Sequence, residues 1–144
     1  MIERDQLLCF SLGVAMRRIS RMYTEALAEH DVTPPQLYLL TCLGQADGQK
    51  PCNLGKQVCL DSSSITGLLD RAEKAGLVVR RPDPRDRRSL RIHLTDLGRQ
   101  RLATLEPVVQ TLQARIHREF FTGYSDEDVR LFLGMLQHVQ EGLS

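Results

Sequence analysis

Residues 80–91 read RRPDPRDRRSLR. Six arginines (Arg80, Arg81, Arg85, Arg87, Arg88 and Arg91) stand against two aspartates, a local charge of +4 in a 144-residue chain whose total is +1. Guanidinium groups stay charged at every accessible pH and present a planar fork of donors that fits phosphate oxygens two at a time. A basic run on its own is usually a solvated loop, so what precedes it decides its meaning. Asp83 and Asp86 are compatible with anion binding, because a carboxylate beside an arginine can hold the guanidinium in position. Just upstream, Ser62, Ser63, Ser64, Thr66, Gly67 and Arg71 form a second set of small polar and basic residues at helical spacing.

Other reactive side chains show no comparable order. Cys9, Cys42, Cys52 and Cys59 contain no CxxC pair; the last three read as core or partly buried residues. An enzyme needs a nucleophile, a base and an orienting group. Cys9 with a histidine would make a thiol peroxidase or hydrolase, but no motif arranges the pair, so no enzymatic activity is expected. Zinc held by His30, Cys42 and a histidine of the 95–121 segment lacks any tight ligand spacing. Neither a metal nor a cofactor is expected.

The elements that must position these residues follow from periodicity and caps. Leu8, Leu12, Ala15, Ile19, Met22 and Ala26 recur at helical spacing within 4–29. Thr33-Pro34-Pro35-Gln36 combines an N-cap hydroxyl, proline at the first helical position and glutamine at the third, and opens a helix to Leu43 that stops at Gly44. Residues 53–60 (NLGKQVCL) and 63–76 (SSITGLLDRAEKAG) are two short helices broken at Asp61-Ser62. Ile65, Leu68, Leu69 and Ala72 give the second a buried stripe, and Gly76 ends it. LVVRR (77–81) and LRIHL (90–94) read as a β-hairpin around the arginine loop. Thr95 caps a long helix to about Phe121, with Pro107 inside it as a kink or a lost hydrogen bond. Ser125 caps a last helix to about Gly142, its acids in the first turn.

Two short helices with a tight break, followed by a hairpin with a basic tip, make a winged helix-turn-helix. Small polar residues and a glycine let the 62–74 helix settle into a DNA major groove, its N-terminal N–H groups available to phosphate. The hairpin is the wing, its arginines suited to phosphates and a narrow minor groove. The expected fold is mainly α with a small β-hairpin wing, and the expected partner is double-stranded DNA. Ser62, Ser63, Ser64, Thr66, Gly67, Arg71, Arg85, Asp86, Arg87 and Arg88 are the expected contacts. A winged helix that binds protein instead would lack the steep salt dependence of phosphate neutralisation.

The stretch SSSITGLLDRAEKAGLVVRRPDPRDRRSLRIHLTDLGR resembles the core of the MarR-type transcriptional regulators. The shared pattern is the recognition helix, the apolar exit strand, the D-x-R of the wing (Asp86, Arg88) and the L-T-x-x-G lead into the next helix (Leu94, Thr95, Gly98). The resemblance implies a homodimer on a pseudo-palindromic operator, acting as a repressor, with both ends of the chain forming the dimer interface. The last helix agrees with this. Val129, Leu131, Phe132, Leu133, Met135, Leu136 and Val139 exceed one buried stripe and call for a partner subunit. Leu8, Leu12, Val129, Phe132, Leu136 and Val139 are the expected interface residues.

DQLLCFSLG (5–13) resembles the organic-hydroperoxide-sensing branch of that family, in which a thiolate near the start of helix 1 is oxidised to sulfenic acid and DNA is released. Cys9 and Tyr23 match its sensor and a tyrosine that hydrogen-bonds it. Fourteen helical residues place Tyr23 about 21 Å along the axis from Cys9, so contact needs a partner's helix. The branch's other tyrosines would fall at positions occupied by Gly13 and Pro34, and no cysteine follows Cys59 to resolve a sulfenic acid. Two other readings stand beside redox sensing: Cys9 as a small buried hydrophobe, and a small-molecule effector of the phenolic-acid kind.

Length and composition fit this picture. One domain (1–144) is expected, with the winged helix-turn-helix at 33–95 and dimerisation helices at 1–30 and 96–144. With 42% hydrophobic and 26% charged residues the chain reads as an ordinary globular protein. No apolar run approaches the roughly 18 residues of a membrane span and no export signal opens it, so a cytoplasmic location with reduced thiols is expected.

Overall fold

A computed structural model describes residues 1–142. They form six α-helices and one hairpin: α1 (Leu8–Leu27), α2 (Pro34–Gln45), α3 (Pro51–Gln57), α4 (Ser62–Lys74), β1 (Val78–Pro82), β2 (Leu90–Leu94), α5 (Asp96–Phe120) and α6 (Asp126–Glu141). The chain packs as two compact units, Met1–Val109 and the segment from Gln110 on. No helix among the described residues is long and apolar enough to cross a membrane.

Local chemistry sets the boundaries. Thr33 and Gln36 form a reciprocal capping box at α2: the Gln36 N–H donates to Thr33 Oγ1 and the Thr33 N–H donates to Gln36 Oε1. Ser125 and Asp128 do the same at α6. The α3 helix starts at Pro51, two residues before the expected Asn53, because proline is preset for the first helical position. It ends at Gln57, and Cys59 takes the left-handed conformation (φ 56°) in the turn to α4. Gly76 is left-handed as well (φ 75°) and closes α4. Pro107 lies within an unbroken α5.

The core of the first unit gathers Leu27, Leu39, Leu40 and Leu43 with Leu54, Leu68, Leu69, Ile92 and Leu105, all nearly or fully removed from solvent. The expected α1 stripe is buried only over its second half. Met22 and Leu27 are buried, Ile19 and Ala26 half-buried, and Leu8, Leu12 and Ala15 exposed. Antiparallel pairing runs from Val78↔Leu94 through Arg80↔Ile92 to Pro82↔Leu90, and Ile92 also bridges Gln49.

The L-T-x-x-G signature has a packing reason. Thr95 Oγ1 donates to the Gly76 carbonyl at 2.5 Å and accepts from the Gly98 N–H at 3.0 Å. A Cβ on Gly98 would collide with the Leu77 carbonyl oxygen. Any side chain there would push α5 off the segment that leads into the wing.

Candidate nucleic-acid interface

The α4 helix opens on Asp61, whose Oδ1 accepts from the Ser64 N–H at 2.7 Å and the Ser63 hydroxyl at 3.1 Å. Those bonds, the Ser64 N–H first, hold the Asp61 carboxyl below the usual carboxylate range. One N–H expected to be available to phosphate is thus taken by an ionised side chain of the same chain. Ile65, Leu68, Leu69 and Ala72 face the core, leaving Ser62, Ser63, Ser64, Thr66 and Arg71 exposed and Gly67 half-buried. The Thr66 hydroxyl donates back to the Ser62 carbonyl at 2.7 Å. A shallow cleft bordered by Pro35, Leu60, Ser64, Gly67 and Arg71 runs beside this face.

The arginines of 80–91 divide by their partners. Asp83 is 3% exposed and sits at the root of the wing. Its Oδ2 pairs with Arg91 Nε at 2.9 Å, and its Oδ1 accepts from the Arg85 N–H at 3.0 Å. The Arg85 N–H first, then Arg91, outweigh burial and lower its pKa. Arg91 Nη1 donates to the Gly48 carbonyl at 2.8 Å. Arg80 forks between Asp70 (2.6 Å) and Glu73 (2.9 Å) on α4. Asp86 does not hold a guanidinium as expected; its carboxylate accepts the Arg88 N–H at 3.1 Å and turns the loop. Among the described residues, the side chains of Arg81, Arg85, Arg87 and Arg88 enter no ion pair, and all four are exposed.

Behind the wing, Asp47 fixes β2 in place. It accepts from the Leu94 N–H at 2.9 Å, pairs with Arg99 at 3.0 Å, and faces His93 at 3.5 Å. Burial pushes its pKa up, but the N–H groups of Leu94 and Gly48 together with Arg99 and His93 bring it below the usual value. Sequence reasoning missed Asp47, Arg99 and the roles of Arg80 and Arg91. Only Asp83 left a local signal, the Asp-Pro-Arg pattern of a side chain bonding the N–H two residues on.

Cys9 lies exposed in the first turn of α1, which corrects its reading as a buried hydrophobe. Tyr23 is half-buried on the same unbroken helix, and burial, with Tyr38 nearby, raises its phenol pKa. Cys42 is partly buried, but Cys52 and Cys59 are exposed, contrary to expectation, because they fall on the outer side and trailing turn of a seven-residue helix. No three His, Cys, Asp or Glu side chains among the described residues are placed to hold a metal ion.

The second unit carries an apolar groove bordered by Phe120, Phe121, Tyr124, Leu131, Phe132 and Met135, with the Phe121 and Phe132 rings 5.8 Å apart. Of the residues expected at a dimer interface, Val129 is buried in its own chain and Leu136 half-buried. Phe132 (44%) and Val139 (47%) are exposed, as are Leu131, Leu133 and Met135. In the first unit Leu8 is 65% exposed and Leu12 36%.

The profile of the MarR family matches residues 32–90, from the lead into α2 to the start of β2. The transcriptional regulator SarZ of Staphylococcus aureus is 33% identical over 113 residues, 78% of this chain and 74% of SarZ. This chain belongs to the MarR family. The regulator TtmR of Methylorubrum extorquens is 39% identical over 95 residues, 66% of this chain; the match spans about half (49%) of TtmR. Among solved structures, the transcriptional repressor CouR bound to a 23-mer DNA duplex superposes with a TM-score of 0.84 at 26% identity, covering 97% of this chain and 99% of CouR. CouR from Rhodococcus jostii RHA1 bound to p-coumaroyl-CoA superposes at 0.79 with 26% identity, over 96% and 95% of the two chains. MarR proteins are DNA-binding transcriptional regulators of winged-helix type and not enzymes, the class that the arginine loop and the helix pair called for.

Proposed function

We propose that this MarR-family chain is a cytoplasmic repressor that reads a pseudo-palindromic operator in double-stranded DNA as a homodimer and is released by a chemical signal. Residues 33–95 read the DNA. The exposed N-terminal face of α4 (Ser62, Ser63, Ser64, Thr66, Gly67, Arg71) enters the major groove, and the wing (Arg85, Asp86, Arg87, Arg88) follows the adjacent backbone and minor groove. The observation that carries this reading is the sorting of the arginines. Arg80 and Arg91 are held within the protein, whereas Arg85, Arg87 and Arg88 project from a braced loop and Arg81 from the strand that leads into it. CouR bound to duplex DNA supports the docking mode.

Residues 1–30 and 96–144 serve dimerisation in this reading; 143 and 144 lie outside the described residues. The exposed Leu8 and Leu12 on α1, and Phe132 and Val139 with their neighbours on α6, are apolar area that a second copy would remove from water. On α6, Leu136 is half-buried and Val129 is buried within its own chain.

Two release signals are distinguished by experiment. Exposure of Cys9 favours a thiol oxidised by an organic hydroperoxide, with Tyr23 of the second copy as its neighbour. The likeness to CouR with p-coumaroyl-CoA favours a phenolic or acyl-CoA ligand. Fluorescence anisotropy on labelled duplexes tiled across the region upstream of the protein's own gene tests both. Tight, salt-sensitive binding that cumene hydroperoxide abolishes, and that Cys9→Ser protects, establishes the redox signal. Release by a phenolic acid or its CoA ester, unaffected by Cys9→Ser, establishes the ligand. Absence of salt-sensitive binding to any duplex overturns the reading.

A further inference from the structure

The recognition helix carries two carboxylates, Asp70 and Glu73, on the same exposed side as Arg71 and Lys74. Carboxylates there would face a polyanion, and at low salt their repulsion would oppose the attraction of the neighbouring cations. Both are met from the wing. Arg80 Nη2 lies 2.6 Å from Asp70 and Nη1 2.9 Å from Glu73, and the Arg80 backbone N–H donates to the other Glu73 oxygen at 3.1 Å. The Arg80 side chain is 23% exposed, so these contacts are partly shielded from solvent and salt. Arg80 sits in the middle of β1 opposite the buried Ile92, which ties its backbone to the core of the hairpin.

We propose that Arg80 is a positioning residue for DNA recognition: it neutralises Asp70 and Glu73 and locks the wing to the recognition helix without itself touching DNA. The proposal rests on the DNA-binding reading above. A planar fork is needed, because two carboxylates one helical turn apart are held by separate nitrogens of one rigid group. Lysine would supply the charge but not both directed contacts.

The test is a double-mutant cycle in the full-length protein, using the tightest-binding upstream duplex and a scrambled duplex of the same length. Arg80→Gln is expected to weaken binding to the first about tenfold or more, and binding to the second distinctly less, because a misplaced helix loses base contacts before phosphate contacts. In an Asp70→Asn/Glu73→Gln background the same change is expected to cost less than about threefold, the signature of coupled residues. An equal loss in both backgrounds and on both duplexes would make Arg80 a direct phosphate contact and overturn the proposal. If Arg80→Gln fails to fold by circular dichroism, Arg80→Lys replaces it: an intermediate, duplex-selective loss supports the fork, and unchanged binding overturns it. Wild-type protein that binds neither duplex removes the DNA-binding reading itself, whereas wild-type binding with additive losses removes only the role of Arg80.

Discussion

Asp83 Oδ2 and Arg91 Nε stand 2.9 Å apart across the mouth of the wing loop, the carboxylate 3% exposed and the guanidinium tied on its other side to the Gly48 carbonyl. The pair joins the two strands where they would otherwise splay, and it passes the connection to the loop before α3. With Asp86 bonding the Arg88 N–H, it turns a seven-residue connection into a braced platform. The arginines that project from it have little loop entropy left to lose on binding.

Replacing Asp83 by alanine therefore has an informative sign. On charge alone, removing an acid near DNA should tighten binding. Loss of the brace should weaken it, by roughly tenfold, the lower end of the scale of one hydrogen bond to a charged group. Anisotropy at constant salt measures the affinity, and faster amide exchange at Arg85 and Ser89 would place the effect in the loop.

Arg88→Ala should weaken binding across sequences and lower the slope of log K against log salt by about one phosphate contact. Arg91→Ala should lower thermal stability, because its guanidinium is committed to Asp83 and Gly48. An unchanged salt slope for Arg88→Ala would take the wing tip out of the interface.

Gly67→Ala separates folding from function. A Cβ at this position meets only the terminal Nη1 of Arg71, at 3.2 Å, the far end of a flexible side chain. Alanine should then stabilise α4 by about 0.5–1 kcal/mol while holding the helix away from DNA. The expected pair of results is a melting temperature unchanged or raised and an affinity reduced. A lower melting temperature would instead assign the glycine to packing.

Acid should destabilise the fold through identifiable groups. Asp47, Asp61 and Asp83 all have pKa values below the usual one in the folded chain. Their stabilising effect is complete above the unfolded carboxylate value of about 4 and is lost as pH falls through the lower folded values. Melting temperature should be flat in these groups from about pH 5 to 8 and fall below about pH 4. Asp47→Asn should lower the plateau and make the acid slope shallower, measured by calorimetry from pH 3 to 8.

Local features were legible in the sequence because their partners lie three residues away. The Thr33–Gln36 and Ser125–Asp128 boxes, the left-handed Gly76, the hairpin strands around the arginine loop and the buried stripe of α4 follow from spacing and backbone sterics. So did the class of partner, since a strong local concentration of guanidinium charge beside a polar helix face has few uses. Which arginines are tied within the protein and which stay unpaired was not legible. Arg80 is settled by Asp70 and Glu73, ten and seven positions back, and Arg91 by a carbonyl 43 positions away.

The same holds for the thiols and the apolar surface. Free cysteine is among the most often buried residue types, and only packing shows Cys9, Cys52 and Cys59 exposed. Periodicity marked the α1 stripe and the crowded apolar face of α6, but not the point along each where burial stops. Hydrophobic spacing is a property of one helix, while burial depends on what the rest of the chain brings against it. Sequence alone determined the order of elements, their caps and the charge of the arginine loop; the tertiary structure decided which of those charges were already paired within the chain.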